Sequence, residues 1–296
     1  MSRFSLALAA VLISCSGCAA KVLHEPATTA SVDTTLSAVV AANDNLNAVA
    51  WTQTAIEREL VYRQAYRSAQ AHLAKALADP SWEALPSGER KSSASGLRPA
   101  IIVDVDETVL DNSPYQARLV RAGSSYNEAT WAAWCREQRA AAIPGALEFT
   151  RYAASSGVTV FYLTNRAQDL RDDTLANLRK LGFPVDADDV FVGLGTVVSG
   201  CDQESSEKGC RRELISRSHR VLMQVGDQIG DFVDTPLNTL EGRRAAVKPY
   251  FDWIGERWFV LPNPTYGSWE PALFDNNRRL PAEQQRAMAR AALRVE

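Results

Sequence analysis

Residues 100–106 read Ala-Ile-Ile-Val-Asp-Val-Asp, an apolar run that passes directly into two aspartates. Such a short apolar run is typical of a buried strand in a parallel sheet. Three further runs are expected to form strands, at residues 158–163, 221–225 and 258–261. Helical stretches separate the first three runs, at about residues 144–155 and 170–181. Strands that alternate with helices predict an α/β fold with a doubly wound parallel sheet at its centre.

Acidic residues follow two of these strands. Asp104 and Asp106 stand two residues apart, so both carboxylates can face the same side of the chain. Asp227 and Asp231 follow the run at 221–225 and share one face if a helical turn begins there. The carboxyl ends of parallel strands meet at one edge of the sheet, and ligands bind there. Four acids at this edge would repel one another without a cation. The pattern favours Mg²⁺, although an isolated Asp-x-Asp pair is more often a solvated strand end or turn.

The same edge holds candidates for phosphate chemistry. Asp104 can be a nucleophile that forms an aspartyl phosphate, and a second carboxylate can protonate the leaving oxygen. Thr164 ends the strand at 158–163 and offers a hydroxyl donor. Lys208 lies before the strand at 221–225 and offers a balancing positive charge. Taken alone, these two residues are also typical of a strand cap and a solvated loop lysine.

Six stretches, taken in order, resemble the haloacid-dehalogenase-like (HAD) phosphatases and, within them, the lipoprotein e(P4), class C (subfamily IIIB) acid phosphatases. The first is Val103-Asp-Val-Asp-Glu-Thr-Val-Leu-Asp111, extended by Asn112-Ser-Pro-Tyr115. The others are Ile143-Pro-Gly-Ala146, Phe161-Tyr-Leu-Thr-Asn-Arg166, Lys208-Gly-Cys-Arg-Arg212, Gly226-Asp-Gln-Ile-Gly-Asp-Phe232 and Leu261-Pro-Asn-Pro-Thr-Tyr-Gly-Ser-Trp-Glu270. The resemblance covers about residues 50–275.

This resemblance implies a Rossmann-like HAD fold and a magnesium-dependent acid phosphatase or 5′-nucleotidase. It makes Asp104 the nucleophile and Asp106 the general acid and base. The phosphate would be bound by Thr164, Asn165 and Lys208. Mg²⁺ would be held by Asp104, the backbone carbonyl of Asp106, Asp227 and Asp231, the last through water unless it orients Lys208 instead. The substrates would be small phosphate esters such as nucleoside monophosphates, and a non-catalytic binding or storage lipoprotein is the alternative.

The insert after the first motif, about residues 113–142, is expected to form a small helical cap. Trp131 and Trp134 stand three residues apart and so share one face of a helix. Together with Tyr266 they are candidates for stacking on a substrate base, and packing on the domain is the alternative. The stretch 191–209 is rich in glycine and serine, and we expect it to be a loop.

Composition excludes several classes of protein. The 296 residues are 46% hydrophobic and 23% charged, which is typical of a globular chain and not of a disordered one. The net charge of -3 provides no basic surface for a nucleic-acid polymer. The three histidines lie far apart, so a histidine-rich metal site is not expected.

The first 18 residues have the pattern of a secretory signal that ends in a lipobox. Arg3 precedes an apolar run at residues 4–13, which is shorter than a bilayer-spanning helix. Cys15 is the expected lipidation site and Cys18 its rival, with a plain signal peptide as the remaining alternative. Residues 19–48 would tether this anchor to a domain at 49–296. We therefore expect an exported protein, lipid-anchored to the bacterial envelope at the outer membrane and facing the periplasm.

The remaining cysteines have to be judged for an oxidising compartment if the protein is exported. Cys201 and Cys210 flank a polar loop, so they either pair in a disulfide or stay as two free thiols. Cys135 is expected to be an ordinary half-buried thiol.

Overall fold

A five-stranded parallel sheet and a short antiparallel ribbon form the β-structure of the computed structural model, which describes residues 43–202 and 206–296. The strands are β1 (Arg98–Val103), β2 (Leu110–Asp111), β3 (Ala141–Ala142), β4 (Thr159–Ala167), β5 (Phe191–Leu194), β6 (His219–Gly226) and β7 (Trp258–Val260). The sheet order is β5-β4-β1-β6-β7, and every neighbouring pair is parallel. The predicted α/β fold with a parallel sheet is confirmed.

The central position of β1 explains why its sequence is apolar throughout. Its residues 100–103 are buried, and β6 beside it is buried along its whole length. Val103 lies opposite Tyr162 on β4 and opposite Val225 on β6. Because these three strands are parallel and their last residues pair, their carboxyl ends meet at one edge and bring the following polar residues together.

Ten α-helices surround or extend from the sheet within the described residues. They are α1 (Leu46–Thr54), α2 (Ile56–Ala78), α3 (Ser113–Ala122), α4 (Glu128–Arg136), α5 (Ala146–Ser155), α6 (Arg171–Leu181), α7 (Gly209–Ser216), α8 (Leu240–Val247), α9 (Trp269–Ala272) and α10 (Ala282–Ala291). None of the described helices is long and apolar enough to cross a membrane.

Helix α2 is fastened to the loop that follows β1. Its buried stripe includes Tyr62, Tyr66 and Leu73, and each such side chain contributes about 1.5–3 kcal/mol by leaving water. The hydroxyl of Tyr66 also donates to the carbonyl of Thr108 at 2.6 Å. The hydroxyl of Tyr62 donates to the carbonyl of Pro262 at 2.9 Å. The long helix therefore braces two loops at the carboxyl edge of the sheet.

The insert after β1 contains the two helices α3 and α4. Gly123 ends α3 in the left-handed conformation, with φ of 58°, and the side chain of Asn127 caps α4 by accepting from the backbone N–H of Thr130. The ribbon β2–β3 pairs Leu110 with Ala142 and so brings the two ends of the insert together. The predicted insert is thus helical and closed at its base.

Two segments differ from the sequence-based expectations. Strand β5 lies inside the stretch 191–209, which was expected to be a loop. The strand has only four residues and includes Gly193, where a β-carbon would lie 2.8 Å from the carbonyl oxygen of Arg166. A short strand that contains a glycine resembles a loop in sequence. Helix α1 begins at Leu46, so the last three residues assigned to the tether are helical.

The N-terminal features lie outside the described residues. These are the signal and lipobox at 1–18, with Cys15 and Cys18, and the tether up to residue 42. The described residues belong to the compact unit Ala41–Glu296.

The cysteine alternatives are resolved by the structure. Cys201 and Cys210 form a disulfide, with α-carbons 5.8 Å apart. Cys135 is a free thiol that is buried rather than half-buried. Burial raises its pKa to about 12, so this thiol stays protonated and unreactive at neutral pH.

Candidate active site

Three carboxylates converge at the carboxyl edge of the sheet. Asp104 follows β1, Asp227 follows β6, and Asp231 lies in the 3-10 turn Ile229–Asp231. One oxygen from each lies within 4.8 Å of the others. Asp231 turns back towards the strand because its Oδ2 accepts the backbone N–H of Gln228 at 2.8 Å. Gly226 permits this approach, since a β-carbon there would lie 2.3 Å from Asp231 Oδ2.

Lys208 is the cation of this cluster. Its Nζ donates to Asp104 Oδ1 at 2.5 Å, to Asp231 Oδ1 at 2.8 Å and to the carbonyl of Leu163 at 2.7 Å. All three ammonium protons are therefore used. Burial opposes the charged form of Lys208, but the two adjacent carboxylates outweigh it and leave the lysine pKa raised. The sequence-based placement of Lys208 beside the acids agrees with this geometry.

The cluster carries more negative charge than Lys208 can balance. Burial raises the pKa of Asp104 to about 7, against the opposing effect of Lys208 and with the help of Asp231 and Asp106. Burial, together with Asp231 and Asp104, also raises the pKa of Asp227 well above its usual value. Two buried carboxylates, the half-buried Asp227 and one ammonium fit a hard divalent cation, which binds through oxygen ligands. These residues could therefore hold a metal ion.

The carboxylate of Asp106 is not part of this cluster. Its Oδ1 accepts from Arg166 Nε at 3.0 Å, from Arg166 Nη2 at 2.8 Å and from Asn112 Nδ2 at 2.8 Å. The metal role predicted for Asp106 can thus involve only its backbone carbonyl, as the resemblance implies. Arg166 and Asn112 received no role from the sequence. Both lie inside the quoted motifs, but neither their spacing nor their residue type indicates that they hold Asp106.

The predicted phosphate-binding residues take different positions. Asn165 lines the cavity described below, and its Oδ1 accepts from Arg211 Nη2 at 2.6 Å, which leaves its amide N–H groups available to a ligand. Thr164 is fully buried and does not line the cavity; its Oγ1 accepts the backbone N–H of Arg166 at 3.0 Å. Burial and the adjacent Arg212 lower the pKa of Arg211 to about 10, so Arg211 stays charged. Its positioning of Asn165 was not predicted.

One cavity of about 530 Å³ connects the acidic cluster to a wall of aromatic rings. The candidate acidic and phosphate-binding residues that line it are Asp104, Asp106, Asn165, Lys208, Asp227 and Asp231. The aromatic residues are Tyr126, Trp131 and Tyr266. Trp131 is held by the guanidinium of Arg166, which lies 5.4 Å from its ring centroid. The cavity therefore has both an anionic end and a surface suited to a flat group.

Trp134 does not take part in this wall. It is buried, and its indole N–H donates to Asn112 Oδ1 at 2.8 Å. The stacking role considered for Trp134 is thus corrected to packing, while Trp131 and Tyr266 face the cavity. The shared helical face was predicted, but the two rings lie a full turn apart on it and meet different neighbours.

Glu107 is a buried residue of the site that the sequence did not single out. Its Oε1 accepts the backbone N–H of Asn112 at 2.7 Å, and its Oε2 accepts the hydroxyl of Tyr266. Burial raises the pKa of Glu107 well above its usual value, and Asp106 and Asp227 add to this effect. In the sequence, only its position inside the first motif could have indicated that Glu107 belongs to the site.

Comparisons with known proteins point in one direction. The family model for the acid phosphatases of HAD superfamily subfamily IIIB matches residues 13–269. The class C acid phosphatase from Bacillus anthracis has a similar structure, with a TM-score of 0.73, 32% identity, and coverage of 85% of this chain and 97% of that one. A second structure of that enzyme, with tungstate bound, matches equally well.

Curated plant proteins are more distant relatives. A stem 31 kDa glycoprotein of Glycine max is 27% identical over 166 residues, which is 56% of this chain and 58% of that protein. Acid phosphatase 1 of Solanum lycopersicum is 26% identical over 165 residues, 56% of this chain and 57% of that protein. The chain thus spans little more than half the length of these relatives.

Proposed function

Because this chain belongs to the acid phosphatases of HAD superfamily subfamily IIIB, we propose that it is an exported, magnesium-dependent hydrolase of small phosphate monoesters, including nucleoside 5′-monophosphates. One observation carries the proposal. The acidic cluster of Asp104, Asp227 and Asp231 shares a single cavity with Asp106, Lys208 and a wall of aromatic rings. A non-catalytic binding or storage role gives no reason for this combination, since each part has a task in phosphoryl transfer.

The proposed reaction begins at Asp104. Its Oδ2 accepts no hydrogen bond from the described residues and is free to attack phosphorus. A bond forms between Asp104 and phosphorus as the bond from phosphorus to the ester oxygen breaks, which gives an aspartyl phosphate. Lys208 stays on Oδ1 and holds the carboxylate in place.

Asp106 handles the proton. Arg166 and Asn112 occupy its Oδ1, so Oδ2 is the atom that carries the proton to the leaving ester oxygen. The alcohol then departs and Asp106 is left as a carboxylate. In the second step Asp106 takes a proton from a water molecule whose oxygen attacks phosphorus. The bond from Asp104 to phosphorus breaks, and inorganic phosphate is released.

The metal and the phosphate ligands reduce the negative charge at this centre. Mg²⁺ held by Asp104, Asp227 and Asp231 would supply positive charge to the carboxylates and to the phosphoryl oxygens. Asn165 offers amide N–H groups to the phosphate, and Lys208 offers charge; Thr164 supports the backbone beside them. The tungstate-bound form of the Bacillus anthracis enzyme supports an oxyanion site in such proteins, since tungstate is an oxyanion like phosphate.

The aromatic wall supports a nucleotide as one substrate. A cavity of about 530 Å³ is within the usual size range for small-molecule sites. Trp131 and Tyr266 face it with flat rings, and a ring stacked on a base contributes roughly 1–3 kcal/mol in nucleic-acid-binding proteins. We therefore include 5′-nucleotidase activity in the proposal.

The test is an assay of the purified full-length protein on a panel of phosphate esters. Activity with added Mg²⁺, its loss in EDTA and its return when Mg²⁺ is restored are the expected results. Hydrolysis that is unaffected by EDTA would remove the metal from the proposal. No hydrolysis of any ester by folded, Mg²⁺-loaded protein would favour the non-catalytic alternative.

The export part of the proposal rests on the sequence of residues 1–18 alone. Lipid attached to Cys15 or Cys18 would anchor the enzyme to the bacterial envelope, at the outer membrane on the periplasmic side. Mass spectrometry of the N-terminal peptide from the mature protein tests this. A diacylglyceryl group on Cys15 is expected, its presence on Cys18 would move the cleavage site by three residues, and an unmodified mature N-terminus would contradict the anchor.

A further inference from the structure

The segment 263–268 carries Tyr266 to the cavity that the acidic cluster also lines, and two hydrogen bonds hold the segment. Asn263 Nδ2 donates to Asp227 Oδ2 at 2.8 Å, and Gln228 Nε2 donates to the carbonyl of Tyr266 at 3.2 Å. Gly267 lies so close to the Gln228 amide that a β-carbon would be 2.2 Å from its Oε1. These contacts set where the segment lies, but none of them fixes the direction of the Tyr266 ring.

The ring direction is determined by Glu107. The hydroxyl of Tyr266 donates to Oε2 of Glu107, while the other oxygen of the same carboxylate accepts the backbone N–H of Asn112. Glu107 is only 1% exposed, so its carboxylate cannot exchange the tyrosine for solvent. One carboxylate therefore connects the ring to the loop that carries Asp104 and Asp106.

The backbone at Glu107 indicates that its direction is important. Its φ is 59°, in the left-handed region that non-glycine residues rarely adopt. Such a conformation persists only where the surrounding structure fixes it, and it is found preferentially at functional sites. Here the N–H of Glu107 donates to the carbonyl of Leu110 at 2.9 Å. This bond, together with the Asn112 N–H on Oε1, holds the residue with its other carboxylate oxygen towards Tyr266.

We propose that Glu107 is a positioning residue that fixes the Tyr266 ring in the cavity and so sets the preference for esters that carry a flat base. The inference rests on the proposed function. It gives the first motif a second task. Asp106 holds Arg166 beneath Trp131, and Glu107, the next residue, holds Tyr266, so two consecutive acidic side chains orient the two rings.

The test is a double-mutant cycle read as a substrate preference. The preference is the kcat/KM for adenosine 5′-monophosphate divided by that for glycerol 2-phosphate, which has no ring. Tyr266→Phe keeps the ring but removes the hydroxyl, and Glu107→Ala removes its acceptor. We expect each to lower the preference by about tenfold, equivalent to about 1.4 kcal/mol. The double variant should show no further loss, because the same contact is already gone.

Glu107→Gln supplies a readout that a purely structural role would not give. The glutamine oxygen can keep the Asn112 N–H, and its NH2 group can then donate to the tyrosine oxygen, so this variant should recover most of the preference that Glu107→Ala loses. Tyr162→Phe is the matched control. It also removes a buried tyrosine hydroxyl, which donates to the carbonyl of Pro184 at 2.9 Å, and Tyr162 does not line the cavity. Its preference should equal that of the wild type.

The outcomes separate the inference from the function it rests on. Additive losses in the double variant, or an unchanged preference in Tyr266→Phe, would overturn the positioning role while wild-type hydrolysis continued. Wild-type protein that hydrolyses neither ester would instead remove the proposed function. If Glu107→Ala does not fold, the comparison of Tyr266→Phe with Tyr162→Phe still decides, since both keep an aromatic ring.

Discussion

The ammonium of Lys208 lies 2.5 Å from Oδ1 of Asp104, the oxygen next to the one proposed to attack phosphorus. The lysine therefore already contacts the proposed nucleophile when no substrate is bound. It leaves one carboxylate oxygen unoccupied and lowers the cost of keeping this buried group charged. The two residues are 104 positions apart in the sequence, and the parallel sheet brings them together because β1 and β5 end at the same edge and Lys208 lies in the segment from β5 to α7.

The first prediction concerns Asp104→Asn. The side chains are nearly the same size, so the fold should be kept, but the amide cannot form the aspartyl phosphate. We expect kcat to fall by about four orders of magnitude or more, the scale seen when a hydrolase loses its nucleophile. Steady-state hydrolysis with circular dichroism as a folding control checks this. Substantial activity in the pure, folded variant would exclude the covalent mechanism.

Asp106→Asn tests the proton transfer separately. Loss of a general acid should lower kcat by about 100- to 10,000-fold on an alkyl phosphate such as glycerol 2-phosphate. The loss should be smaller on 4-nitrophenyl phosphate, because its leaving oxygen needs little help from a proton. Equal losses on both esters would mean that Asp106 acts by holding Arg166 and not as the acid.

The second prediction distinguishes the two tryptophans of α4. Trp131→Ala should lower the preference for adenosine 5′-monophosphate over glycerol 2-phosphate by about tenfold, since a stacked ring contributes roughly 1–3 kcal/mol. Trp134→Ala should instead lower the free energy of unfolding by about 3–5 kcal/mol, because it removes a buried ring and its bond to Asn112. Urea unfolding and the two-substrate assay measure both. A change of preference in Trp134→Ala alone would reverse the assignment.

The third prediction concerns the disulfide between Cys201 and Cys210, which closes a loop with a sequence separation of 9. Replacing both with serine should lower the free energy of unfolding by roughly 2.5–3 kcal/mol, since the unfolded chain regains the freedom of that loop. Dithiothreitol should shift the urea midpoint of the wild type in the same direction. The reductant should leave the urea midpoint of the double variant unchanged. A wild-type midpoint that is the same with and without the reductant would contradict the prediction.

The fourth prediction is a pH dependence of stability from His219. Burial lowers its pKa below the ordinary value of 6.5, and the charge of Arg98 adds to this. In the unfolded chain His219 therefore takes up a proton near pH 6.5, whereas in the folded chain it stays neutral to a lower pH. Stability should be fully present above that pH and fall as the pH drops from about 6.5 towards the lowered folded pKa.

The variant His219→Gln provides the comparison for this effect. It removes the titrating ring, which packs 4.8 Å from Phe161, so the variant should be less stable at neutral pH. Its free energy of unfolding should nevertheless change less than that of the wild type between pH 7.5 and 5.5. Equal slopes for the two proteins would show that His219 does not contribute.

Parts of the site that depend on strand ends were predictable from the sequence. Asp104 and Asp227 follow apolar runs, and parallel strands bring such ends together whatever the rest of the fold does. Lys208 could be placed through the motif around it. Strand β5 could not, because four residues with a glycine carry too little hydrophobic pattern.

Other parts depend on contacts that no periodicity encodes. The link between Glu107 and Tyr266 joins residues 159 positions apart and requires a left-handed backbone at a non-glycine residue. The separation of the Asp106 carboxylate from the acidic cluster depends on Arg166, whose side chain is fully buried. In the same way, helical spacing predicts that Trp131 and Trp134 share one face, but it does not predict which of them lines the cavity.

The ribbon of β2 and β3 has a consequence for how such enzymes can diversify. It holds the two ends of the insert side by side, so a longer or shorter insert costs only a loop-closure entropy that grows slowly with length. The support of Asp106 is kept as long as a replacement insert retains the Trp134 contact to Asn112. An insert that meets this condition can therefore be exchanged as a module, and new substrate ranges can evolve, or be engineered, at constant chemistry.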